Sequence, residues 1–384
     1  AAARNAGTAD IRALADLRRD LPNSAARTWE VAAGAALVTD GGTLGASFSR
    51  YDSLYGVPVR FSLDPMVEAE QVRLKIKQDR ADLRGEIDTG GGLLQAIKLR
   101  AGFADYRHQE IEADGSIATT FLNKSIETRL EIVQRAQGGW RGASGGQLMV
   151  RDFDVIGDEA FLPKNTTQQY GVFTLQTYET GRLKAEAGAR YEHTALQADA
   201  SITIGNPSFA RRFDAVSGSL GASYGLGGGI RIGLNASHTE RAPAAEELFA
   251  NGPHAGTQAF EIGNPDFRKE VSNGIEATLR GAGEGYSFSI AGYHNQFSNF
   301  IYESQTGAIE DQARARYWGV EGEASIRLAQ LGDFTINVDA LGDFTRARII
   351  GIGPAPRIPP LRVLVGLEAQ SARLDARVEV ESTD

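Results

Sequence analysis

The side chains with the most chemistry lie in one long segment between two strand-like stretches. Between Thr239 and Lys269 stand Glu246, Glu247, His254 and Glu261. Imidazole and carboxylate groups can contact a metal ion or the polar rim of a metal chelate. The competing reading is that the turns of this segment only pack it over the elements beneath. Two further loop residues, Tyr55 and Phe249, carry rings that could stack on a ligand, though a girdle or loop-packing role is the readier account of both. The five histidines, His108, His193, His238, His254 and His294, are scattered without metal-ligand spacing. Each alone reads as an interior or loop residue before it reads as a ligand, so a bound metal is left open.

Covalent chemistry finds little support. Gly142-Ala143-Ser144-Gly145-Gly146 matches a nucleophile-elbow pattern, but that motif needs a strand, a sharp turn and a helix. Here it sits in a small-residue strand flanked by Trp140 and Met149. There is no H-E-x-x-H and no phosphate-binding loop. The chain has no Cys, which excludes a thiol nucleophile, a disulfide scaffold and thiolate metal sites. No catalytic residue and no resident cofactor is expected. A net charge of −9 and a pI near 5.3 argue against a nucleic-acid partner.

Whatever positions these residues is built from strands. In Leu183, Ala185, Ala187, Ala189 and Tyr191 every second residue is apolar, and Lys184, Glu186 and Arg190 fall between them. The same alternation recurs at Ile230, Ile232, Leu234, Ala236 and at Trp318, Val320, Gly322, Ala324, Ile326. Successive strand residues point to opposite faces, so each segment has one apolar and one charged face. Small apolar residues toward lipid and charges toward a wet lumen fit an all-β antiparallel transmembrane β-barrel better than a soluble sandwich. No apolar run approaches the ~18 residues of a membrane helix, but barrel strands need only ~9–11 to cross.

About sixteen strands can be read between Thr28 and Val380. Short Gly-rich turns alternate with long connections, as in outer-membrane barrels with short periplasmic turns and long outer loops. Inward charges such as Glu127, Arg129, Glu131, Glu321, Glu323 and Arg327 would line the lumen. Tyr51, Tyr55, Phe103, Tyr106, Tyr191, Tyr224, Tyr286, Trp318 and Phe334 fall near strand ends and are expected in interfacial girdles. Val72–Ile87 changes parity midway, which calls for a bulge near Gln78 or for an upper half that rises above the membrane. Ile11 to Leu21 is compatible with a helix in an outer loop.

The long segment carries a further pattern. Arg241 and Pro243 precede the pair Glu247-Leu248; then come Gly263-Asn264-Pro265 and an acidic residue, Glu270, at the next strand. This resembles the barrel signature of TonB-dependent outer-membrane receptors. Phe249 to His254, and Ser49-Arg50-Tyr51-Asp52 with Tyr55-Gly56-Val57-Pro58, are similar to a subgroup that includes receptors for zinc, haem or ferric chelates. Zinc-type members tend to follow the second phrase with histidines, whereas this chain has Val59-Arg60-Phe61-Ser62.

The resemblance implies a barrel of about 22 strands around a plug. Residues 1–384 then read as one receptor barrel domain, incomplete at both ends and without the plug, holding roughly the fourth to nineteenth strands. It also implies energised uptake of a scarce metal chelate, foremost a ferric siderophore, across a Gram-negative outer membrane. Zinc, haem and a passive porin-like channel are the alternatives. The implied partners are the chelate, outer-membrane lipid and, through the plug, a TonB-type energy-coupling complex. The candidate ligand contacts are His254, Glu246, Glu247, Glu261 and Tyr55.

Overall fold

A computed structural model describes residues 9–58, 71–254, 259–304 and 309–384. Helix α1 (Ala9–Asp16) precedes β1 (Ala26–Thr39), β2 (Gly42–Gly56), β3 (Arg73–Asp88), β4 (Leu94–Ile111), β5 (Ile117–Gln134), β6 (Trp140–Gly157) and β7 (Asn165–Thr180). The chain continues through β8 (Leu183–Ala198), β9 (Phe209–Gly227) and β10 (Ile230–Arg241). A folded loop then holds α2 (Ala245–Phe249) and the small hairpin of β11 (Asn251–His254) and β12 (Ala259–Ile262). The wall resumes with β13 (Glu270–Gly283), β14 (Tyr286–Glu303), β15 (Glu310–Leu331) and β16 (Phe334–Ile349). It ends with the two-residue β17 (Gly353–Pro354), β18 (Arg362–Gln370) and β19 (Asp375–Thr383).

The sixteen long strands are those read from the alternation. Each pairs antiparallel with the next, β10 passing over the loop hairpin to β13. Among the described residues β1 is bonded only to β2 and β19 only to β18, so both outer edges of the wall carry no ladder. Tight turns join the strands along one rim. Two of them rest on glycines in the left-handed region, Gly181 (φ 55) and Gly332 (φ 60), where a side chain would be strained. The longer connections lie along the opposite rim, which is the outer one in this architecture.

The ladder registers assign the faces. Leu234 lies between Ala222 and Ala277, and Val365 between Ala340 and Val380, all small or apolar. Leu234 is 54% exposed and Val365 47%, in a band with Phe48, Phe103, Leu220 and Ile290. So large an apolar belt has its natural solvent in lipid. The other face holds Glu127, Arg129 and Glu131, with Arg129 paired to Glu131 at 3.0 Å and lying 4.0 Å over the Phe173 ring.

Three expectations are corrected. β3 pairs with β2 and β4 without any shift, so there is no bulge at Gln78. Ala81, Leu83 and Ile87 share the lipid-side rows of Phe48 and Phe103, while Leu74 and Ile76 point inward beside Glu110 and His108. The strand rises past the bilayer, and its apolar residues there pack inward. Tyr51, Tyr55 and Tyr106 lie on this inner face too, so they are not girdle residues, whereas Phe103, Tyr191, Tyr224 and Trp318 are outward. Helix α1 ends at Asp16 instead of reaching Leu21, and Arg19 turns out of it with φ 69.

A wall that faces lipid outside and a lumen inside has no core across its thickness. The apolar core lies at the outer rim, where Phe121, Phe153, Phe161, Leu162, Leu196, Phe213, Leu248, Phe249 and Phe267 bury one another beneath the loops.

Candidate functional site

The loop between β10 and β13 is folded around α2. Pro243 stands two residues before this helix, where it breaks no helical hydrogen bond. Glu247 reaches back to accept the Ala244 backbone N–H at 2.7 Å, satisfying a donor at the helix start. Its two carboxylate oxygens also receive both Nη atoms of Arg241, at 2.9 and 3.0 Å. A second acid, Glu270 Oε2, lies 3.6 Å from Arg241 and accepts the Ile301 N–H at 2.9 Å. One guanidinium therefore braces the end of β10 against α2 and the start of β13.

The Gly263-Asn264-Pro265 turn has an equally local reason. The N–H groups of Gly263 and Asn264 donate to the carbonyls of Ala250 and Glu247, at 2.8 and 2.9 Å. A Cβ on Gly263 would stand 2.8 Å from the Leu248 carbonyl carbon and 2.9 Å from the Glu247 oxygen. Only glycine lets this turn close against the helix. Beneath it Leu248 and Phe249 are fully buried, Phe249 stacked on Phe209 with centroids 5.4 Å apart. Phe249 is therefore a packing residue and offers no ring to a ligand.

His254 ends β11, and Glu261 sits across the hairpin on β12. Their Nδ1 and Oε1 are 2.7 Å apart, and His254 Nε2 lies 3.7 Å from Glu110 Oε1 of β4. The imidazole stacks on Phe161 at 4.4 Å and leans toward Phe121 at 5.7 Å. Burial disfavours the charged ring, but the Glu110 and Glu261 carboxylates outweigh it and push the His254 pKa up to about 9. The ring is thus a cation at neutral pH, with both nitrogens turned to carboxylates.

Glu110 is 1% exposed, and its Oε2 has no hydrogen-bond partner among the described residues. The same holds for Thr119 Oγ1 and His108 Nε2. Thr119 is the register neighbour of Glu110 on β5, and His108 stacks on Phe121 at 5.1 Å. Buried polar atoms are ordinarily satisfied, so this concentration marks a place for a polar ligand group or water. Tyr55 lies in the same cross-strand row, Tyr55–Leu74–Glu110–Thr119, two strands and about 10 Å from Glu110.

Of the residues singled out from sequence, the structure thus brings His254 and Glu261 together and sets Tyr55 on the same wall. Glu246 is tied instead to Arg151 of β6 at 2.8 Å, and Glu247 to Arg241. Among the described residues no three His, Asp or Glu side chains converge as a metal-binding group. The segment Val59-Arg60-Phe61-Ser62 lies outside the described residues. Glu110, Thr119 and Phe161 escape sequence reading. The parity change in Val72–Ile87 was the available signal, since it shows that upper even-numbered positions of β3 face inward.

A protein family described as TonB dependent receptor-like, beta-barrel matches residues 17–373. Among solved structures, the fold superposes on the copper transporter OprC with a TM-score of 0.79 and 15% identity, over 94% of this chain and 59% of that one. The Serratia marcescens hemophore receptor HasR, solved with its hemophore HasA and heme, gives 0.71 and 13% over 93% and 64%. The FrpB iron transporter of Neisseria meningitidis gives 0.68 and 10% over 94% and 60%. At these identities the likeness is one of fold, and the chain spans about three-fifths of the length of these structures.

Proposed function

Because the chain belongs to the TonB-dependent receptor β-barrel family, we propose that it is the wall and outer mouth of an outer-membrane receptor that takes up a preformed metal chelate, foremost a ferric siderophore. The observation that carries the reading is the buried patch under the loop hairpin. There Glu110, Thr119 and His108 hold polar atoms with no hydrogen-bond partner among the described residues, beside the His254 cation. Such unsatisfied polar groups address the polar rim of an organic chelate. A bare ion would want three or four converging neutral or anionic donors instead.

In the intact protein further strands close the wall, and a plug in the lumen receives the pull of an inner-membrane energy-coupling complex. The two unladdered edges support this, because unpaired backbone groups in lipid cost several kcal/mol each. The lumen face is wet and charged and needs no covalent chemistry to pass a ligand.

The test is growth under iron limitation with a single ferric chelate as iron source. Replacing His254 and Glu261 together by Ala should depress growth while surface abundance stays normal. If abundance and protease resistance fall together with growth, the pair only packs the loop. Unimpaired growth at normal abundance removes both from the site.

A further inference from the structure

The outward face of β14–β16 carries a basic recess. Its lipid-facing rows are apolar from Ile326 up to Val320 on β15 and from Val338 to Phe344 on β16. Trp318 ends the band on β15, its ring set edge-on to Phe344 with centroids 5.5 Å apart. One step higher the same rows change character. His294 and Arg346 flank Trp318 in register, and Arg316 stands directly opposite Arg348. These side chains line a recess of about 560 Å³, with Ile350, Pro354 and Ile358 of the following loop as its apolar lip. Among the described residues no carboxylate lines it.

On β2–β5 the outward face carries carboxylates among its cations: Arg50 lies 3.7 Å from Asp79, Lys77, itself opposite Arg107, lies 3.7 Å from Asp52, and Lys124 lies 3.3 Å from Asp105. Like charges directly opposite on a ladder repel, as Arg316 and Arg348 do here. The chain as a whole is acidic, at −9. Three exposed arginines facing outward just above an aromatic belt, with no carboxylate among the described lining residues, form a cradle open to an anion from outside the chain.

We propose that this recess binds the phosphate-bearing headgroup of an outer-leaflet lipid. The height selects the occupant: the arginines stand where lipid headgroups lie, and the Trp318–Phe344 pair below them stands where acyl chains begin. Guanidinium groups fork onto phosphate oxygens with geometry that a simple cation lacks. A phosphate between Arg316 and Arg348 turns their repulsion into a bridge, and Arg346, whose guanidinium lies 5.4 Å from the Phe344 ring, closes the third side. The apolar lip covers the headgroup from above.

The test uses the intact protein purified from outer membranes, the Arg316→Gln/Arg346→Gln/Arg348→Gln variant, and native mass spectrometry with titrated lipid. The probes are a diphosphorylated acylated glucosamine disaccharide, its dephosphorylated counterpart and inorganic phosphate. At about fivefold per arginine, the phosphorylated lipid should bind the triple variant roughly 100-fold more weakly, and the dephosphorylated lipid should bind both proteins equally weakly. Equal affinity of the two lipids for the native protein, or unchanged binding to the variant, overturns the site. Competition by inorganic phosphate as strong as by the lipid overturns the lipid assignment. Should the triple variant not fold, Arg346→Gln and Arg348→Gln singly carry the same comparison, each with an expected loss of about fivefold.

Discussion

Arg241 and Glu247 meet as two parallel hydrogen bonds, at 2.9 and 3.0 Å, across the start of α2. This fork, with Glu270 beside it, joins two wall strands to the helix of the largest described loop. Removing the guanidinium leaves two mostly buried carboxylates uncompensated, at a cost of about 1–3 kcal/mol. Arg241→Ala should therefore loosen residues 242–254, read as faster hydrogen exchange and proteolysis in the detergent-folded protein. Arg241→Lys should rescue only part of the loss, because an ammonium cannot fork. Full protection in both variants would dismiss the brace.

Gly263→Ala places a Cβ 2.8 Å from the backbone of α2. The helix is packed on Leu248 and Phe249 and cannot easily retreat, so the expected cost is about 1–3 kcal/mol. The variant should insert into membranes normally yet show a cleavable loop. A loop as resistant as the native one would mean that the turn can shift at little cost.

The facing of β10 is open to a paired test. Leu234→Arg turns a charge toward lipid at mid-strand and should cost ~2–4 kcal/mol in folding into vesicles, whereas Asn235→Arg, pointing to the lumen, should cost much less. Equal costs would contradict the assignment of faces.

The His254 cation makes the loop sensitive to pH. Its folded pKa, about 9, lies above the ordinary value of 6.5. The ring pairs with Glu261 and Glu110 and has His108 nearby. A group whose pKa rises on folding contributes fully below the unfolded value, and the contribution fades as pH climbs through the folded one. Protection of residues 251–254 should be flat below about pH 6 and decline from there to about pH 9. His254→Gln should remove that decline. A decline of the same size in the variant would place its origin elsewhere.

Much of this was legible in the chain, for reasons that differ by region. Strand existence follows from a period of two, visible wherever one face meets lipid, as at Leu183 to Tyr191. The Arg241–Glu270 pattern was visible because a tight turn and a forked ion pair restrict residue type locally. Above the bilayer the lipid constraint ends, and alternation no longer tells inside from outside. That is why alternation alone sends Tyr51, Tyr55 and Tyr106 to a girdle and does not mark Glu110. The contact of Glu110 with His254 joins residues far apart in the chain, and only the docking of the loop hairpin on β4 and β5 reveals it.

Energised uptake of a preformed chelate is read from the accumulation of radiolabelled iron, supplied as a ferric siderophore, in iron-starved cells. Cells carrying the intact protein should accumulate label that cells lacking it do not, and dissipating the inner-membrane proton gradient should abolish the difference. Protein-dependent accumulation that persists without the gradient would mark a passive channel, and no protein-dependent accumulation from any ferric chelate would rule out ferric-chelate uptake.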